Sequence, residues 1–539
     1  MYMNTRFSIA GIRRSLRPVP KLFLHYIGSA GRAEAKRRGA IVEARQCESI
    51  FNNSAINITR KRDTNDNTHP HRGEVQGILW IYKVKTSWQM TQICDKIGDV
   101  PNAVSSLSRR SQMKKLVALV VMCVFGICCF AQWSQSQGQI NGNHWVSAWT
   151  TSLFLSTPLP GLPAESPIAD KTVRVVARPT IGGKQLRVRL SNEFGTAPLT
   201  IAAAHIALTD QDSRIQPATD HVLTFGGSPR ITIPAGAPAF SDPVEIAVKP
   251  FAEVSISLYI PGTVATVSSH PQSLHDSYFA GPGDMTSMQD LPNPETKRPV
   301  YFVSGIDIWA SHNTSATVAF GDSITEGAGQ KSGQYIDYPD QLAKRLAAQG
   351  ETTIAVVNQG IGGNRILHDV AGPSALARFD RDVLSLPGTT NLVVLLGIND
   401  IGFPRVRMPG AKGTEAKEMP FASQAVSADE MIVGLKQIIG RAHAHGIRVF
   451  GATLTPFEGT NSYDESGEAI RQAVNKWIRS TDAFDAIIDF DKAICDPQHP
   501  TRVRQEYDSG DHIHPSAAGY KAMADLIPLS LLGAKQKPK

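Results

Sequence analysis

Gly321-Asp322-Ser323 follows the apolar run Ala316-Thr317-Val318-Ala319-Phe320, and Asp511-His512-Ile513-His514-Pro515 lies far downstream. A serine hydroxyl is a poor nucleophile until a base takes its proton and a third group orients that base. The first cluster supplies the hydroxyl at the end of an expected strand. The second supplies a carboxylate three residues before a histidine, close enough to steer it. The pairing points to serine-hydrolase chemistry. Taken singly, each segment has a plainer reading. Asp322-Ser323 alone is a helix N-cap, Asn399-Asp400 an ordinary turn, and Gly362-Gly363 a phosphate cradle, although neither G-x-G-x-x-G nor G-x-x-x-x-G-K-[ST] occurs. Asp511, His512 and His514 have metal-ligand spacing, but no second Asp/Glu/His cluster accompanies them in the sequence. Neither a metal nor a cofactor is expected.

Two kinds of element must position these groups. From Trp145 to about Trp309 the chain alternates as short strands. Leu186, Val188 and Leu190 face one way and Arg187 and Arg189 the other, and Val254–Ile260 alternates in the same manner. Proline and glycine punctuation between the runs favours an all-β sandwich or jelly-roll-like domain over 144–309. Bracing the neighbouring domain is its simplest role, with carbohydrate binding the alternative. After Asn313, apolar runs alternate with helical periods: Ala316–Phe320, Gln341–Ala348, Thr353–Val357, Asn391–Leu396, Ser427–His443, Arg448–Leu454, Glu468–Ile478, Ala486–Asp489 and Ser516–Leu531. Ser427 and Glu430 form an S-x-x-E capping box, and Met431, Leu435, Ile438 and Ala442 make an apolar stripe. Such alternation implies an α/β domain over 314–533, a parallel sheet with helices on both faces. Ligands in these sheets sit beyond the carboxyl ends of the strands. Gly321-Asp322-Ser323, Asn358–Asn364 and Gly397-Ile398-Asn399-Asp400 each directly follow an expected strand, so three segments converge on one edge.

With all four blocks in hand, a resemblance becomes specific. Phe320–Gly327, Asn358–Asn364, Gly397–Asp400 and Asp511–Pro515 resemble, in order, the blocks of the SGNH (GDSL-type) esterase and acylhydrolase superfamily, with Ile324 where the GDSL motif has leucine. The β-rich region and the run Pro373–Asp380 resemble a subgroup likened to xylan-associated arylesterases. The resemblance implies a three-layer α/β/α, flavodoxin-like hydrolase domain. It implies Ser323 as nucleophile, His514 as base and Asp511 as its orienting acid, with His512 excluded by the D-x-x-H spacing. It implies an oxyanion hole from the backbone N–H groups of Ser323 and Gly363 and the side-chain amide of Asn399. Asp322, Asn364 and Arg365 are candidate substrate contacts. The expected substrate is a small-molecule or polysaccharide ester, with short acyl groups on plant polysaccharide favoured by the subgroup. A lysophospholipase or lipase is the alternative enzyme, and a carbohydrate-binding protein with an inactive hydrolase fold the alternative of another class. No G-x-S-x-G elbow is present, which disfavours the α/β-hydrolase fold.

Composition sets the remaining bounds. A chain of 539 residues exceeds one ordinary core. Its net charge of +7 is misleading: residues 1–112 hold 19 Lys+Arg against 8 Asp+Glu, leaving 36 against 40 in the rest. The folded part therefore has no general basic footprint, and a nucleic-acid partner is rejected. Met113-Lys114-Lys115, the uncharged Leu116–Phe130 and Ala131 have the form of a secretory signal peptide over 113–131, and the apolar stretch is shorter than the ~20 residues a spanning helix needs. A secreted or periplasmic protein without stable membrane insertion is expected, an uncleaved anchor being the alternative. Residues 1–112 then read as a disordered extension or as sequence upstream of the true start. Of six cysteines only Cys495 follows the signal, so no disulfide is expected in the mature chain. The sequence does not fix the oligomeric state.

Overall fold

The computed structural model describes residues 142–155, 166–408, 417–418 and 421–534, which belong to one compact unit. The expected signal peptide and the segment before it lie outside the described residues.

The β-rich part folds as two antiparallel sheets. One places His144–Thr150, Val303–Ala310, Gly183–Ser191 and Val244–Val248 side by side. The other runs Glu295–Lys297, Ser277–Ala280, Ile168–Ala177, Val254–Val264 and Ala203–Gln211. Alternation puts every second side chain on one face. Leu186, Val188 and Leu190 of the first sheet thus meet Val173, Val175, Ile256 and Leu258 of the second in a single apolar core. Burying each such side chain contributes about 1.5–3 kcal/mol. The opposite face of Gly183–Ser191 is only partly solvated, contrary to simple alternation. Arg187 and Arg189 share Asp307 there, and Arg189 reaches Ser385 of the following domain.

That domain is built on five parallel strands in the order Ile354–Gly360, Ser315–Gly321, Thr389–Leu395, Arg448–Ala452, Ala486–Ile488. Numbered along the chain this is 2-1-3-4-5, the flavodoxin-like order, whose switch point lies between the first and third strands. The runs are continuously apolar because both faces are covered. Tyr338–Ala348 packs with Ala517–Leu526, which also meets Phe490–Ile494, while Ala428–Ala444 packs with Glu465–Ser480 and the strand Arg448–Ala452. The Ser427–Glu430 capping box is present, and Met431, Leu435, Ile438 and Ala442 are buried as their spacing predicts. The last expected helix is shorter than its apolar pattern. It ends at Leu526 and resumes as a 3₁₀ turn over Leu529–Leu532, because Pro528 cannot continue a helix. Near the end of Ala428–Ala444, His445 contacts the Arg441 carbonyl, whereas His443 turns to Asp485.

Parallel registers pair Gly321 with Gly360 on one side and with Leu395 on the other. The three strand ends are therefore level, and the loops after them leave from one edge. Among the described residues, no helix is long and apolar enough to cross a membrane, and no group of three or more His, Cys, Asp or Glu side chains lies close enough to hold a metal ion.

Candidate active site

Ser323 begins a four-residue helix, Ser323–Glu326, directly after the first parallel strand. Asp322 caps it by accepting from the Ile324 N–H at 3.1 Å. The N-cap reading of Asp322 is therefore correct, and it coexists with a half-buried position for the serine at the sheet edge. Gly360, on the adjacent strand, has no room for a side chain: a Cβ there would lie 2.2 Å from the Glu326 nitrogen. Strand and helix thus approach backbone to backbone.

His514 Nε2 lies 2.7 Å from Ser323 Oγ, and its Nδ1 lies 2.6 Å from Asp511 Oδ2. An ionised carboxylate only accepts, so Nδ1 carries the proton and Nε2 accepts from the serine hydroxyl. Asp511 also takes the backbone N–H groups of Ile513 and His514 at its other oxygen. Burial alone would raise its pKa, but the His514 contact and these N–H groups outweigh it and hold the carboxyl below the usual range. His512 is paired elsewhere, with Asp508 at 2.8 Å.

Gly363 has φ 75, and a Cβ on it would approach Phe403 Cζ to 3.0 Å. Only glycine satisfies that conformation and that contact together. Asn399 donates one amide N–H to the Asn364 carbonyl at 3.1 Å, and an amide carries two. Asp400 braces the same segment, accepting from Ile366 N at 2.7 Å and Leu367 N at 3.2 Å. Burial pushes its pKa up to about 6, against the pull of those two N–H groups. The third and second strand loops are tied by these bonds.

The three candidate substrate contacts are all buried. Asn364 spends its amide on the Ala371 and Pro373 carbonyls. Arg365 reaches the Asp369 carbonyl and Gln424 and lies near the Phe403 and Phe421 rings. Asp322 has one carboxylate oxygen without a partner.

Sequence reasoning gave no role to Arg378, which lies in the run Pro373–Asp380. It is fully buried and ties together four segments. Its nitrogens donate to the Gly321 and Gln359 carbonyls, to Asn364 Oδ1, to Asp382 and to Ser152 Oγ, at 2.8–3.0 Å. Charged hydrogen bonds of this kind are among the stronger ones, and here they fix the strand ends that carry Ser323 and Gly363. Beside Asn399 and Asp511 lies a cleft of about 360 Å³, lined also by Phe403, Thr460, Asn461 and Ser462.

Residues 319–522 match the model of the GDSL-like lipase/acylhydrolase family. The match lies within the α/β domain and marks the chain as a carboxylic ester hydrolase. Similar solved structures include a GDSL-like lipase from Bacteroides thetaiotaomicron VPI-5482, at 18% identity and TM-score 0.29, covering 41% of this chain and 88% of that one. Another is a variant of an acetyl xylan esterase from Geobacillus stearothermophilus, at 20% identity and TM-score 0.31, covering 42% of this chain and 100% of that one. No curated protein matches the chain.

Proposed function

We propose that this GDSL-family acylhydrolase is an exported serine esterase acting through Ser323, His514 and Asp511. The single observation that carries the reading is the continuous chain Ser323 Oγ to His514 Nε2 to Asp511, at 2.7 and 2.6 Å. Ser323 Oγ attacks the ester carbonyl while its proton passes to His514 Nε2. The imidazolium is steadied by Asp511 and then protonates the departing alkoxide. Water, deprotonated by His514, next attacks the acyl-serine, and the proton returns to Ser323 as the acid leaves. Negative charge on the tetrahedral oxygen falls to the N–H groups of Ser323 and Gly363 and the free N–H of Asn399.

The substrate class is a short acyl ester of a polyhydroxylated alcohol, such as acetyl groups on plant polysaccharide. The cleft beside Asn399 supports it, because the Thr460, Asn461 and Ser462 side chains offer partners for hydroxyl groups. The β-rich domain, 144–309, acts as a brace for the hydrolase domain, 314–533. Export rests on the Met113–Ala131 pattern of the sequence. Rates on p-nitrophenyl acetate, longer acyl esters and acetylated xylan, measured beside Ser323→Ala, test the proposal. Hydrolysis falling with acyl length and abolished in Ser323→Ala is expected. Equal rates for both proteins would remove the mechanism, and a preference for long acyl chains would favour a lipase.

A further inference from the structure

A cavity of about 210 Å³ lies where the β-rich domain meets the hydrolase domain, and the proposed ester chemistry makes no use of it. Arg189, Glu193, Phe240 and Ser304 enter it from the β-rich side, and Arg381 and Asp382 from the other. Arg189 is the informative member. It is only 7% exposed, and its Nε has no partner. Its terminal nitrogens reach Ser385 Oγ and Asp307 Oδ1 only at 3.4 and 3.5 Å. Asp307 gives its closer oxygen to Arg187, at 2.9 Å. A buried guanidinium with weak partners costs free energy unless another group satisfies it.

The four charged side chains that line the cavity balance, and the arginines behind them add a positive excess. Arg187 and Arg189 share the single carboxylate of Asp307. Arg378 and Arg381 share that of Asp382. Glu193, held by Ser191 Oγ at 2.8 Å, offsets one of the two surplus charges, so one positive charge remains. A guanidinium presents a planar fork that matches a carboxylate. The volume corresponds to about seven water molecules, the size of one sugar ring. Phe240, 42% exposed, stands at the rim with Arg187 and Arg189 over its ring, and Ser304 and Ser385 offer hydroxyl groups.

We propose that this cavity binds a hexuronic acid, a pyranose ring carrying one carboxylate that pairs with Arg189. Binding here is independent of the ester chemistry at Ser323. The ring can arrive as a free acid or as a substituent of a polysaccharide, and both present the same chemistry to Arg189.

Calorimetric titration of the purified protein with glucuronate, glucose, acetate and a glucuronate-bearing xylo-oligosaccharide tests the site. Glucuronate is expected to bind at least tenfold more tightly than glucose or acetate. Arg189→Gln is expected to weaken it at least tenfold, with thermal unfolding recorded to confirm a folded variant. Glu193→Gln removes the opposing charge and is expected to tighten binding severalfold, a gain that damaged protein cannot mimic. A tighter oligosaccharide assigns the site to a polysaccharide substituent, and equal affinity assigns it to the free acid. Glucuronate binding no better than glucose, or Glu193→Gln failing to tighten it, overturns the proposal.

Discussion

His270, from the β-rich domain, places its Nε2 3.0 Å from Glu326 Oε1, on the helix that starts at Ser323. Its Nδ1 lies 2.8 Å from the Ser152 carbonyl. Both ring nitrogens thus face acceptors, and only the imidazolium donates twice. The two side chains are each 5% exposed. Burial disfavours the charged ring, but the Glu326 contact and the Ser152 carbonyl outweigh it, and the pKa is raised. A β-domain side chain is therefore clamped to the helix that begins at Ser323.

Replacing one partner of a buried pair leaves the other uncompensated, at a cost of about 3–5 kcal/mol. His270→Gln is expected to lower thermal stability by an amount of that order and to reduce kcat more than it raises KM. The pH dependence has a definite sign. A histidine whose folded pKa is raised contributes stability fully below about 6.5, and that contribution is lost as pH rises through the folded value. The melting-temperature gap between wild type and His270→Gln should narrow as pH rises above that point. A constant gap would mean that the ring is not charged in the folded protein.

In the proposed mechanism, Asn399→Ala removes one N–H of the oxyanion hole. Deleting such a donor typically lowers kcat by about 10²–10³-fold. KM on p-nitrophenyl acetate should change little, because the loss falls on the transition state. A proportionate rise in KM with unchanged kcat would place Asn399 in ground-state binding instead.

Much of this site is legible in the sequence, because catalytic groups must sit at fixed places on a regular frame. Ser323, Gly363 and Asn399 each follow an apolar run, and parallel strands bring such ends to one edge. The D-x-x-H spacing separates His514 from His512, since three residues let both side chains of Asp511 and His514 leave one turn. What stayed hidden is long-range. Arg378 lies in a run whose resemblance was visible but whose chemistry was not, because its partners come from Gly321, Gln359, Asn364 and Ser152. Likewise His270 and Glu326 meet across a domain junction that no local periodicity encodes. Asn364 and Arg365 are candidate substrate contacts by position, and their burial is a long-range property that position does not encode.

The Arg378 network leads to a further expectation. Arg378→Lys keeps the charge but cannot reproduce five planar donors. Gly321, Gln359 and Asn364 would lose bonds at once. A fall in kcat of about tenfold or more, with reduced thermal stability, is expected from the cost of buried groups left unpaired. Arg378→Lys indistinguishable from wild type in both readouts would assign the network no role in holding the strand ends.

Asp322 provides the sharpest pH test. Its pKa is pushed up to about 7, first by burial and then by the nearby Asp400 and Glu326 charges, against the Ile324 N–H and His514. One of its oxygens is buried without a partner. In the unfolded chain the same group titrates near about 3.9. A raised folded pKa means that the proton is held more tightly in the folded state. The stability this group contributes is thus complete below about pH 4 and lost progressively as pH rises through about 7. Asp322→Asn keeps an oxygen for the Ile324 N–H and cannot ionise. It should therefore be more stable than wild type above pH 7, by up to about 4 kcal/mol, and lose that advantage toward pH 4. Denaturant unfolding of both proteins at pH 4, 6 and 8 measures the difference. An advantage that does not grow with pH would show that Asp322 titrates as an ordinary carboxylate.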